Sequence, residues 1–135
     1  MNRPVLLAYQ LLIGISDTFT GALLIIAPEF TLRLMRLHVP DDALPFLSYI
    51  GAFVFAVGLC CLYGALVAFR GSCSKLEVVW LLTALLRASV AIFVLDKILV
   101  GVLETGWLTV AVTDGVCVII QAIGLRKGWP RNVAV

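Results

Sequence analysis

Four long apolar runs dominate this chain of 135 residues, and each is long enough to cross a lipid bilayer as a helix. They extend over about 4–28, 45–69, 76–103 and 107–125. A spanning helix needs about 20 mostly apolar residues, whereas a strand of a membrane barrel needs about 10 that alternate strictly. These runs do not alternate. The sequence therefore predicts an all-α, integral membrane four-helix bundle with up-down-up-down topology, and a single transmembrane domain over 1–135.

The composition of the chain favours the same class. Hydrophobic residues make up 62% of the sequence and charged residues 13%, whereas a soluble domain has about 25% charged residues. The first run is longer than the apolar region of a signal peptide, about 7–15 residues, so we interpret it as a retained span. The lipid bilayer is thus the expected partner. Nucleic acid is not expected, because the basic residues form no clustered patch.

The segment at 28–38, between the first two runs, is too short and too polar to span. Its charged residues Glu29, Arg33 and Arg36 recur at i, i+4 and i+7, and apolar residues take the opposite face. This spacing predicts an amphipathic helix that lies in the membrane interface. Arg33 and Arg36 are candidate contacts for lipid phosphates or for the acidic edge of a partner.

Three ionisable residues, Asp17, Arg87 and Asp114, stand alone inside three different runs. Counting from the predicted membrane boundary places them at depths of about 18, 16 and 20 Å. A charge at mid-membrane costs several kcal/mol unless it is paired. Because a guanidinium can bind two carboxylates at once, the sequence predicts an intramembrane polar cluster centred on Arg87.

Two glutamines extend this predicted cluster toward the side that carries both termini. Gln10 precedes Asp17 by seven residues, and Gln121 follows Asp114 by seven on an antiparallel helix. Both amides should therefore lie about 10 Å from the carboxylates, on the same side. Two acids against one base leave a charge of −1, so either one carboxyl is protonated or a further cation, such as Lys97, completes the site. The cluster is a structural clamp, a transport or ligand site, or a docking point for a partner.

Known catalytic patterns are missing from the sequence, and no catalytic residue, cofactor or metal site is predicted. The single histidine, His38, lies in the interfacial segment, and a lone histidine is a poor metal site. The cysteines form no C-x-x-C pair, so a thiol-oxidoreductase is not expected. A quinone pocket beside Tyr63 and Trp80 stays open as an alternative.

The distribution of Lys and Arg predicts the orientation. One side holds six basic residues, and the other at most three. Because cytoplasmic loops are enriched in basic residues, the richer side, which carries both termini, is predicted to be cytoplasmic. The residues of that side are Arg3, Arg70, Lys75, Arg126, Lys127 and Arg131.

Small and polar positions scattered over nearly the whole chain resemble the DoxX-like superfamily of small four-helix bacterial membrane proteins. They are the run from Gly14 to Asp17, Gly21, Ala27-Pro28, the run from Leu34 to Leu37, Leu85-Leu86-Arg87, Asp114-Gly115 and Gly124-Leu125. The resemblance implies a bundle with a polar centre in the bacterial inner membrane. Some members are implicated as subunits or helpers of membrane redox systems, including thiosulfate–quinone oxidation. Small multidrug transporters are a second resemblance, which rests on the acid in the first helix, Asp17.

These observations lead to three functional expectations. The first is a non-catalytic accessory or stabilising subunit, or a helper, of a larger membrane redox or energy-converting complex, associated with other subunits or with itself. The second is a proton- or ion-coupled small-molecule transporter that uses Asp17 and Asp114. The third is a quinone- or lipid-binding membrane protein.

Overall fold

The computed structural model describes residues 2–133, and within that range it contains five α-helices and no strand. The all-α four-helix prediction is confirmed, because four of the helices are long and apolar enough to cross a membrane. The helices are α1 (Arg3–Ile26), α2 (Pro28–Met35), α3 (Leu44–Phe69), α4 (Cys73–Leu99) and α5 (Leu108–Arg126). Short 3₁₀ turns at Asp41–Ala43, Thr105–Trp107 and Trp129–Val133 complete the chain.

Local sequence explains where the helices begin and turn. Helices α1, α2 and α3 each have a proline in the first two positions, where its missing N–H group needs no partner. Only 70–72 separate α3 from α4, and Gly71 adopts a φ of 72° there. So short a connection makes α3 and α4 antiparallel neighbours.

The end of α4, which the sequence left undecided between Leu95 and Leu103, is at Leu99. Gly101 follows with a φ of 74°, and the Val102 N–H donates to the Lys97 carbonyl over 2.8 Å. A glycine in the left-handed region is a common end to a helix because it has no Cβ to clash. The third predicted span, 76–103, is therefore shorter at this end.

Helix α2 is also shorter than the predicted 28–38, because it ends at Met35. Arg36 adopts a left-handed conformation with a φ of 56°, and the Leu37 N–H donates to the Leu32 carbonyl over 2.9 Å. This turn buries Leu37, which packs with Leu32 and Leu47 of α3. The burial of Leu37 therefore stabilises the turn, and this favours ending the helix at Met35 over extending it along the amphipathic pattern to residue 38.

The four long helices form two close pairs, α1 with α3 and α4 with α5, and the α3–α4 contact joins the pairs. Helix α1 does not pack along α5. In the first pair, a Cβ added at Gly21 would overlap the Phe55 backbone, and one at Gly58 would overlap Thr18. Small residues let backbones approach closely in lipid. The glycines therefore set the distance between α1 and α3.

The terminal end of the bundle, which we define as the end that carries Arg3 and Trp129, is closed by apolar side chains. Trp129 packs against a fully buried cluster that includes Leu6 and Trp80. Pro130, in the same 3₁₀ turn, is also buried. The Arg131 Nε donates to Glu77 over 2.6 Å, and this carboxylate raises the pKa of Arg131 above its ordinary value. We call Trp129–Arg131 the C-terminal cap.

Large apolar side chains face outward along all four long helices. Leu12 of α1 is 70% exposed, Phe53 of α3 58%, Ile92 of α4 67% and Ile119 of α5 59%. Contact of such surfaces with water is unfavourable, whereas hydrocarbon accommodates them. The fold is that of a multi-pass membrane protein.

Candidate functional site

The structure places Asp17, Arg87 and Asp114 together in the middle of the bundle. Arg87 Nη1 donates to Asp114 Oδ1 over 2.5 Å, and Nη2 donates to Asp17 Oδ2. Each residue lies 12 to 14 positions from the terminal end of its helix, which corresponds to about 18–21 Å. The Arg87 side chain is only 5% exposed. We call these three residues the charged cluster.

The charged cluster connects the two helix pairs. Asp17 belongs to α1, whereas Arg87 and Asp114 belong to α4 and α5, and the α1 backbone does not run close to either of these helices. The planar guanidinium has its donors in a fork, so it can bind one carboxylate on each side. Arg87 thus joins helices whose backbones lie apart, in addition to the packing of Leu6 and Tyr9 against Trp80 nearer the terminal end.

Two carboxylates face one guanidinium, so the charged cluster carries −1 when both acids are ionised. Lys97 does not supply the missing charge, because it pairs with Asp96 over 2.8 Å. It also lies ten residues beyond Arg87 on α4, about 15 Å along the helix. Asp17 and Asp114 remain 18% and 15% exposed. Neither carboxylate is therefore as fully enclosed as the guanidinium between them.

The two glutamines lie where the sequence predicts them, between the charged cluster and the terminal end. Gln121 is 1% exposed, and its Nε2 donates to Thr83 Oγ1 over 2.8 Å. Thr83 in turn donates to the Val79 carbonyl over 2.7 Å. Gln10 is fully buried, with its amide close to Gly64 of α3. The absence of a side chain at Gly64 leaves the space that this amide occupies.

Several buried polar atoms in this region have no hydrogen-bond partner within residues 2–133. They are Tyr9 Oη, Gln10 Oε1 and Nε2, Trp80 Nε1, Arg87 Nε and Gln121 Oε1. We call the layer formed by Tyr9, Gln10, Trp80, Thr83 and Gln121 the polar seam. The rings of Tyr9 and Trp80 lie 5.7 Å apart, centroid to centroid. The sequence analysis does not include Tyr9 in the predicted site, although its position next to Gln10 in the first run indicates that it could lie there.

Arg33 and Arg36 lie at the opposite end of the bundle, away from the charged cluster. Arg33 pairs with Glu29 in the same helix, and both side chains are more than half exposed. Arg36 is exposed in its left-handed turn. Together with His38 these residues line a surface pocket of about 390 Å³. The structure therefore leaves both arginines at the surface, as a feature separate from the charged cluster.

The cysteines lie in different environments. Cys61 and Cys117 are buried, Cys60 is exposed on α3, and Cys73 lies at the start of α4. Cys73 donates weakly to the Arg131 carbonyl over 3.5 Å, which places it beside the C-terminal cap. Among the described residues, His, Cys, Asp and Glu side chains form no group of three that could hold a metal ion.

Comparisons with known proteins leave the chain without an assigned family. No family model, no curated protein and no solved structure matches it. Membership of the DoxX-like superfamily therefore stays a prediction from the residues quoted above.

Proposed function

We propose that the protein is a non-catalytic subunit or helper of a larger membrane redox or energy-converting complex, and that it docks through α3. The observation that carries this proposal is a stripe of small residues on the outward face of that helix. Ala52, Ala56 and Cys60 recur at i, i+4 and i+8, and all three are exposed. Small side chains at this spacing allow another helix to approach closely in lipid.

An apolar groove beside the stripe supports the same proposal. It lies between α3 and α4, has a volume of about 480 Å³ and is lined by Cys60, Tyr63 and Leu86 among others. A partner helix seated on the small stripe would place its larger side chains in this groove. Dispersion contacts of that kind drive helix association in lipid, where no hydrophobic force acts between helices.

A structural role for the charged cluster fits this function. The Arg87 guanidinium binds one carboxylate from each helix pair and so fixes the position of α1 relative to α4 and α5. A fixed bundle presents a rigid α3 face, which lowers the entropy cost of docking.

Native mass spectrometry after mild extraction from the source membrane tests the docking proposal. The wild-type chain should appear in a heteromeric assembly, and Ala56→Phe should release it by blocking close approach. Val116→Phe, at an exposed position of α5, is the matched control and should leave the assembly intact. A wild-type protein that is extracted only as a monomer would contradict the proposal.

The same proposal places the protein in the bacterial inner membrane, within the DoxX-like superfamily, with both termini in the cytoplasm. The excess of basic residues at the terminal end supports this orientation. Cys73 lies at that end, so an impermeant thiol reagent should label it in inside-out vesicles. A cysteine introduced at the exposed Glu104 should instead be labelled in right-side-out vesicles. The reverse pattern would show the opposite orientation.

Proton- or ion-coupled transport is the second candidate function. The charge of −1 and the partial exposure of Asp17 and Asp114 favour it, because a proton or small cation would neutralise the charged cluster. Reconstituted liposomes with an internal pH dye provide the test. Solute-dependent proton movement should be lost in Asp114→Asn and kept in Asp96→Asn, an acid at the far end of α4. Absence of proton movement with a panel of amines, organic acids and metal ions would contradict this candidate.

A further inference from the structure

The polar seam contains more hydrogen-bonding capacity than its own side chains use. Trp80 Nε1 can only donate, Gln121 Oε1 can only accept, and Gln10 and Tyr9 can do both. Trp80, Gln10 and Gln121 are at most 1% exposed. Each buried polar atom without a partner costs about 1–3 kcal/mol. Several such atoms in one layer point to a bound molecule that can both donate and accept.

We propose that the polar seam is a binding site for water, occupied by a small internal cluster shared by Tyr9, Gln10, Trp80 and Gln121. Water is the smallest molecule with both donors and acceptors, and a buried water makes about three hydrogen bonds. Five atoms of the polar seam without partners therefore correspond to about two water molecules. This hydration depends on neither proposed function, because it follows from the buried polar atoms alone.

The surroundings of the polar seam make this an enclosed site. On the terminal side it is bounded by the apolar cluster of Leu6, Val67 and Leu76, over which the C-terminal cap packs. On the other side it meets the charged cluster through Arg87.

Radiolytic hydroxyl-radical footprinting of the full-length protein in nanodiscs tests the site, because radicals formed from a bound water modify the side chains next to it. Trp80 and Tyr9 should be oxidised although Trp80 is fully buried, and their oxidation should persist in frozen samples, where radicals cannot diffuse. Phe53, which faces lipid, is the internal control and should stay unmodified. An unmodified Trp80 at doses that oxidise Trp107 would overturn the proposal.

Matched variants separate bound water from general loosening of the bundle. Gln10→Leu removes two of the polar atoms and should lower Trp80 oxidation severalfold. Thr18→Val is the control, because Thr18 Oγ1 also has no partner but lies against Gly58, outside the polar seam. It should leave Trp80 oxidation unchanged. Equal Trp80 oxidation in wild type and Gln10→Leu, or an equal decrease in both variants, would contradict water binding at this site.

Discussion

Arg87 Nη1 lies 2.5 Å from Asp114 Oδ1, between two helices that pack along each other, whereas the bond from Arg87 to Asp17 crosses to α1, whose backbone does not run close to α4. The two ion pairs therefore connect different parts of the bundle. The first adds to an existing interface, and the second adds a link between the α1–α3 pair and the α4–α5 pair, which the α3–α4 contact and the packing of Leu6 against Trp80 also join. Arg87 is common to both, so the charged cluster depends on it more than on either acid.

We expect Arg87→Ala to be more damaging than Asp17→Asn or Asp114→Asn. Removal of the guanidinium leaves two buried acids without a partner, and breaking a buried pair in this way costs about 3–5 kcal/mol. Asparagine can still accept a hydrogen bond from Arg87. Folded yield and thermal unfolding in detergent provide the measurement. Equal yields for the three variants would show that the cluster contributes little to stability.

Arg33→Ala is the matched control for the loss of an arginine. Its partner Glu29 is four residues away in the same short helix, and both side chains are largely exposed to solvent. Exposed pairs of this kind contribute about 0–1 kcal/mol. The Arg33→Ala protein should therefore unfold close to the wild-type temperature. A large decrease would mean that α2 contributes more than its exposure indicates.

A second prediction compares two glycines in spanning helices. Gly58→Ala should destabilise the bundle by about 1–3 kcal/mol or more, because the new Cβ would meet the Thr18 backbone, which cannot move alone. Gly115→Ala should be neutral or slightly stabilising, because no atom lies within 4 Å of the new Cβ. The free energy of unfolding in mixed micelles measures both effects. A similar loss of stability in the two variants would mean that the substitution acts through helix flexibility and not through packing.

Counting along the sequence was sufficient to predict the fold class and the common level of Asp17, Arg87 and Asp114 within the bundle. A helix rises by a constant distance per residue, so Asp17, Arg87 and Asp114 reach the same level once the spans are known. Periodicity also indicated that Gln10 and Gln121 share a layer with one another. These are properties of individual helices, which local sequence determines.

Relations between distant elements could not be predicted in the same way. The C-terminal cap depends on Trp129 packing over Trp80, and no periodic pattern links these residues. The sequence allows Lys97 as the missing cation, but in the structure Lys97 pairs with Asp96. The burial of Leu37 depends on Leu47 of another helix. Each of these is decided by tertiary packing, which the spacing within one run does not encode.

The bond between Gln121 and Thr83 leads to a third prediction. Thr83→Val keeps the shape of the side chain but removes the acceptor for Gln121 Nε2, so we expect a loss of about 1 kcal/mol. Thr83→Ser keeps the hydroxyl group and should recover most of that stability. Thermal unfolding of the two variants side by side tests the hydrogen bond. If serine is no better than valine, the methyl group rather than the hydroxyl is what matters.

The ion pair between Glu77 and Arg131 is exposed on the arginine side, and its effect should depend on salt. Because Glu77 raises the pKa of Arg131, the stabilisation is fully present below the ordinary arginine pKa and is lost only at strongly alkaline pH. Between pH 6 and about 9 the attachment of the C-terminal cap should therefore not change through Arg131. Added salt should weaken the attachment of the cap by screening the ion pair.

Hydrogen exchange of 128–133 measures the attachment of the C-terminal cap. Glu77→Gln should speed this exchange at low salt, whereas the control Glu104→Gln should leave it unchanged. Exchange that is insensitive to both salt and Glu77→Gln would show that the packing of Trp129 and Pro130 alone holds the cap.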